Sequence, residues 1–150
     1  MLVFEFVSEL HCSLYEIDLS ECTLFGGRDI VVDPKYEIEA SDWEFLHIER
    51  AKCSAKPVLH TDEGFSVLSL DNGELGLISP DGEAVGFMFG SRVYVSNDFR
   101  GNGLSAALIA GQVILNDGVA NINGEIGYSN SGYYSHIAAL RCLNEMKMVA

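Results

Sequence analysis

The residues of this chain best suited to chemistry gather in one stretch, Val93-Tyr94-Val95-Ser96-Asn97-Asp98-Phe99-Arg100-Gly101-Asn102-Gly103-Leu104-Ser105-Ala106-Ala107-Leu108-Ile109. An apolar strand pattern runs into a glycine-rich turn, and the turn runs directly into an amphipathic helix. Glycines at 101 and 103 let the backbone approach a ligand closely, and a helix start offers unpaired N–H groups at the positive end of its dipole. Arg100 adds a formal charge at the same place. Such a combination suits a phosphate or a diphosphate. Other readings compete. Glycines also make tight strand-to-helix turns that hold no ligand. Gly101-x-Gly103-x-x-Ala106 satisfies a dinucleotide fingerprint, but that fingerprint opens a series of βαβ units and only about 45 residues follow. Gly103-Leu104-Ser105-Ala106-Ala107 is a degenerate nucleophile elbow, with Asp117 and His136 in hydrolase order, yet its second glycine is missing.

With Arg100, Gly101 and Gly103 after a strand, and Leu104 and Leu108-Ile109 in the helix, the stretch resembles the acyl-CoA-binding motif of the GNAT superfamily of N-acetyltransferases. That motif runs strand, Arg/Gln-x-x-Gly-x-Gly/Ala, helix. Ser105 stands where the family has Gly or Ala, and it is small with a hydroxyl able to donate to a phosphate oxygen. The resemblance spans roughly residues 65–148 and is concentrated at 93–109. It implies acetyl-CoA as co-substrate and no metal. The amides of Gly101, Asn102, Gly103, Leu104 and Ser105 would hold the diphosphate, assisted by Arg100. The backbone along Val93-Tyr94-Val95, chiefly that of Val93 and Val95, would pair with the pantetheine arm like an extra strand. The family also implies that strands 4 and 5, here 92–96 and 119–128, splay apart to admit the thioester. The Val95 N–H would then stabilise the tetrahedral oxyanion.

The resemblance says less about acid–base chemistry. Aligning the last helix puts Leu143 where the family has its Tyr general acid, and His136 where it often has Asn. Tyr133 and Tyr134, at the start of that helix, are the candidates to protonate the leaving thiolate, with His136 as a further one. A buried Tyr is otherwise a packing residue with a satisfied hydroxyl. Asn130 would bond the pantetheine or replace the family Asn. Glu74, Glu83 and Asp98 are nearby acids for a general base, though each reads first as a solvated turn residue.

The elements that must position these residues follow from periodicity. Leu2, Phe4 and Phe6 alternate with Val3, Glu5 and Val7, which predicts an opening strand. The spacing of Leu10, Leu14, Ile17 and Leu24 predicts a helix over 8–25, stopped by Gly26-Gly27. Ser41-Asp42-Trp43-Glu44 is a capping box that opens a second helix ending before Pro57. After His60, strands at 65–70, 74–79, 84–89 and 92–95 are separated by Asp71-Asn72-Gly73, Pro80-Asp81-Gly82 and Gly90-Ser91, which predicts an antiparallel meander. A helix over 104–115, a strand over 119–128 and a helix over 135–146 complete the order. The expectation is an α+β (mixed α/β) fold, one GNAT-like domain over 1–150, with a mostly antiparallel twisted sheet flanked by helices.

Composition bounds the partners. Nine Lys+Arg against 22 Asp+Glu give a net charge of −13, which argues against a direct grip on nucleic-acid phosphates. Residues 1–90 hold 18 acids and five bases, while residues 91–150 hold four of each. An acidic first part would attract a cationic acceptor, whether a small amine or a Lys or N-terminal amine of a basic protein. An acidic, soluble surface with no such task fits the charge equally. The alternative function is a non-catalytic interaction protein on the same fold, a nucleic-acid mimic or inhibitor of a basic partner. Cys12, Cys22, Cys53 and Cys142 are scattered, without zinc-site spacing. No run approaches the roughly 20 apolar residues of a membrane span. The opening residues lack a cationic signal region, so a cytoplasmic location is expected. The family usually adds strands after its last helix; here the N-terminal strand or a homodimer partner would close the sheet, or the substrate side is open.

Overall fold

A computed structural model describes residues 3–16, 39–116 and 130–148. The fold is α+β. Six strands form one antiparallel sheet in sequence order: β1 (Phe4–Phe6), β2 (Lys56–Thr61), β3 (Ser66–Ser69), β4 (Leu75–Ile78), β5 (Ala84–Phe89) and β6 (Arg92–Val95). Among the described residues four α-helices accompany it: α1 (Ser8–Glu16), α2 (Asp42–Ala51), α3 (Leu104–Leu115) and α4 (Asn130–Met148). The expected meander is present, and its turns use the positive φ that the sequence supplies, at Asn72 (61°), Gly73 (75°), Gly82 (86°) and Gly90 (64°).

The two faces of the sheet are built differently. On one face Phe4, Phe6, Leu59, Val67, Leu75, Leu77, Met88 and Val95 form a core with α1, α3 and α4. Ten of the twelve α3 residues are buried, as befits a helix apolar all round. Gly111 lets α3 approach closely: a Cβ there would stand 3.3 Å from Val58 Cγ1 and 3.6 Å from Val67 Cγ1. On the other face α2 covers β4–β6 through Ile48, against Phe87, Phe89 and Ile78. The β1–β3 half of that face carries Glu5, His60 and Ser66, with His60 Nδ1 2.9 Å from Ser66 Oγ. This polar alternation is that of a solvated sheet surface.

The capping box at Ser41 is realised through Glu44, whose Oε2 accepts from the Ser41 amide at 2.9 Å and from its hydroxyl at 2.8 Å. Glu44 is buried, and Arg92 Nη2 lies 3.4 Å from its Oε1, which ties the start of α2 to the start of β6. Burial alone would raise its pKa, but the hydrogen bonds from Ser41 and Arg92 outweigh that and hold it below the usual value.

Two elements differ from the sequence pattern, and three further expectations fall outside the described residues. Strand β2 was absent from the sequence reading, which begins the strands only after His60. Its register pairs Pro57 with Leu68 and Leu59 with Val67, leaving Val58 as the extra residue of a bulge. The final helix starts at Asn130 rather than 135, so Tyr133 and Tyr134 lie inside α4. The strand over 119–128 and the first helix beyond Glu16 fall outside the described residues, as does the splay between β6 and that strand.

Candidate functional site

Strand β6 is the last in the sheet, and β5 is its one neighbour among the described residues. The Ser96 amide donates to Val85 O at 2.8 Å, so residues 96, 94 and 92 turn their backbone polar groups toward β5. By alternation the N–H and C=O of Val93 and Val95 point away from it, along the edge. Val85 is the extra residue of a second bulge, since Ile78 pairs with Ala84 and Leu77 with Gly86. Gly86 is required there, because a Cβ would stand 2.7 Å from the Tyr94 carbonyl oxygen. Side chains alternate too. Val93 and Val95 face the α3 core, whereas Tyr94 faces α2, stacked on Phe87 at 5.6 Å and 19°.

Beyond β6, Asn97–Phe99 makes a single 3-10 turn whose Phe99 ring packs edge-on against Phe65 at 5.7 Å. This anchors the turn to the core. Asn102 Nδ2 then donates to Phe99 O at 3.3 Å, so its side chain braces the loop. Gly101 (φ +85°) and Gly103 (φ +77°) are both left-handed, and Gly103 is the N-cap of α3. Nothing lies within 4 Å of where a Cβ of Gly101 would stand, which leaves room beside the loop. The first α3 bond runs from the Ala107 amide to Gly103 O at 3.2 Å. Gly103 provides no side-chain cap, and the first turn holds no acidic residue. Among the described residues, no carbonyl accepts from the amides of residues 101–106. The result is an uncapped positive helix end beside β6, whose far side has no paired strand among the described residues.

Arg100 connects the two parts. Its Nε donates to the outward-facing Val95 carbonyl at 2.7 Å, and its Cζ lies 5.1 Å from the centre of the Tyr94 ring. The structure thus brings together Val93, Tyr94, Val95, Arg100 and Gly101 to Ser105. Leu104 is buried in the core and Ser105 is half-buried, so Leu104 can serve a ligand only through its backbone.

The acid–base candidates sit on α4 or in turns. Tyr134 is 67% exposed and Tyr133 half-buried, their rings 5.2 Å apart and edge-on. His136 shares the buried face of α4 with Ala139 and Leu143. Its Nδ1 lies 2.8 Å from Gly132 O, and a carbonyl only accepts, so Nδ1 carries the proton. Burial lowers the pKa of the ring, against a weaker opposing effect of that hydrogen bond, and keeps it neutral. His136 is therefore a buried side chain and not an exposed one at the helix start. Of the acids, Glu83 closes the β4–β5 turn at the same end of the sheet as Val95. Glu74 stands at the other end of β4, its Oε1 3.1 Å from His47 Nε2, away from the turn. Asp98 lies in the 3-10 turn and is exposed. Asn130 is the first residue of α4, and its side chain lies outside the described residues. The sequence reading did not single out Arg100 as a partner of Val95; the five-residue separation carries no signal for a contact of that kind.

No model of a known protein family matches the chain, and neither characterised proteins nor solved structures give a significant match. Among the described residues no group of His, Cys, Asp and Glu is arranged to hold a metal, and no helix is long and apolar enough to cross a membrane.

Proposed function

We propose that the chain is a GNAT-type N-acetyltransferase, moving the acetyl group of acetyl-CoA to a primary amine of a cationic acceptor. The observation that carries this reading is the uncapped start of α3, reached through two left-handed glycines and placed beside Arg100 at the outward-facing backbone of β6. The amides of residues 101–105 would take the diphosphate, whose charge the helix end and Arg100 favour. The extended pantetheine arm would add to β6 through Val93 and Val95, as a peptide adds to a sheet edge. The amine nitrogen attacks the thioester carbonyl, and the Val95 amide donates to the oxyanion. The C–S bond then breaks, the amine proton leaves to a base, and the departing sulfur takes a proton from Tyr134 or Tyr133.

A free-thiol release assay with acetyl-CoA and a panel of polyamines, aminoglycoside-like amines and basic proteins tests the activity. Thiol release that depends on the acceptor supports the reading. One of Tyr134→Phe and Tyr133→Phe should then lower kcat by about 10²-fold or more, the lower end of what a general acid contributes. Because Tyr134 is exposed, the melting temperature of Tyr134→Phe should stay that of the parent protein. Absence of thiol release with every amine, together with no binding of acetyl-CoA, contradicts the proposal and leaves an acidic interaction module.

A further inference from the structure

We propose that Arg100 is a selectivity latch: in the free protein it occupies the very backbone group that an extended thioester ligand needs, and only a ligand bearing a diphosphate draws it away. The inference rests on the acetyl-CoA reading above and goes beyond it by saying how the site distinguishes its ligand from fragments of it.

The Val95 carbonyl turns outward from β5, so it is one of the few edge acceptors to which an incoming amide arm can bond. In the structure that acceptor is taken by Arg100 Nε at 2.7 Å. The guanidinium is held in place a second time by the Tyr94 ring, 5.1 Å from its Cζ, and Tyr94 is itself fixed by stacking on Phe87. A ligand arm and Arg100 therefore compete for one position. A ligand shifts such an equilibrium only by what it binds differently in the two states. The pantetheine arm alone offers no anion, and its apparent affinity is reduced by the fraction of molecules in which the edge is open. A diphosphate offers the side chain a better partner. Arg100 starts three residues before the α3 N-cap, so it reaches the start of the helix without unfolding the turn. The anion that fills the helix end and the release of the edge are thus one event.

The test is calorimetry with two ligands, acetyl-CoA and S-acetylpantetheine, against the parent protein, Arg100→Ala and Arg100→Gln. Gln carries its amide nitrogen at the same bond count as Arg Nε, so it keeps the edge occupied but has no charge. The parent should bind acetyl-CoA and bind S-acetylpantetheine weakly. Arg100→Ala should lose about tenfold for acetyl-CoA, the scale of one hydrogen bond to a charged group, yet gain severalfold for S-acetylpantetheine. Arg100→Gln should lose for acetyl-CoA and gain nothing for the fragment. In the parent, the Arg100 Hε resonance should move on adding acetyl-CoA but not on adding S-acetylpantetheine. A fragment affinity that is unchanged or lower in Arg100→Ala, while the parent binds acetyl-CoA, overturns the latch alone. An Hε resonance indifferent to acetyl-CoA does the same without any variant. No binding of acetyl-CoA by the parent overturns the acetyl-CoA reading and the latch with it.

Discussion

Gly101 and Gly103 set the direction in which the α3 amides face, and their left-handed φ values are the reason glycine is needed there. Gly101→Ala meets no neighbour, so its whole effect is backbone strain, about 1–2 kcal/mol. Urea unfolding should record that loss, with acetyl-CoA affinity falling further because the loop turns away. Two buried ionisable groups make a separate statement about acid stability. His136 is depressed below its ordinary value of 6.5 by burial, so the unfolded chain binds the proton first. Stability should be flat with respect to this group above pH 6.5 and fall as pH drops from there toward its folded value, by at most about 1.4 kcal/mol per pH unit. His136→Gln, which keeps a donor for Gly132, should remove that window. Glu44, held below 4.5 by Ser41 and Arg92 against the opposing effect of burial, adds stability above 4.5 that is lost as pH falls through its folded value. Thermal melts between pH 8 and 2 should therefore weaken in two stages, the first below 6.5 and the second below 4.5, and a single stage starting below 4.5 would contradict the role given to His136.

At the scale of elements, Gly111 is where α3 lies close on β2, β3 and β4. Gly111→Val adds methyl groups into Val58, Val67 and Leu75 and should cost about 1–3 kcal/mol by overpacking. Circular dichroism melts measure it, and a variant as stable as the parent would mean that α3 does not seat on the sheet as described. Local chemistry explains which elements were legible beforehand. Asn72-Gly73, Gly82 and Gly90 announce their turns because few other residues adopt positive φ, and the Ser41–Glu44 pair announces α2 because its partners are three residues apart. Strand β2 was hidden by its bulge: Val58 and Leu59 are adjacent and both buried, which breaks a period of two, and Pro57 reads as a strand breaker. The early start of α4 was hidden because Gly132 and two tyrosines disguise its first turn. The turn at 99–105 was legible as a strand-to-helix passage, but Arg100 docking onto Val95 is a tertiary contact with no local signature.

For the whole molecule, charge is the dominant feature. A net −13, all of it carried by the first ninety residues, repels itself and draws cations. Raising salt from about 0.01 to 0.15 M shortens the screening length from about 30 to 8 Å. The melting temperature should rise over that range, while KM for a polycationic acceptor should increase severalfold and KM for acetyl-CoA should not. Equal salt dependence for both substrates would remove the acidic surface from the account of acceptor choice. The most direct measurement of the central claim is a titration of the 15N-labelled protein with acetyl-CoA, followed by amide resonances. The account predicts saturable shifts concentrated in residues 93–95 and 101–106. No shifts at millimolar ligand, or shifts confined to other parts of the chain, would contradict it.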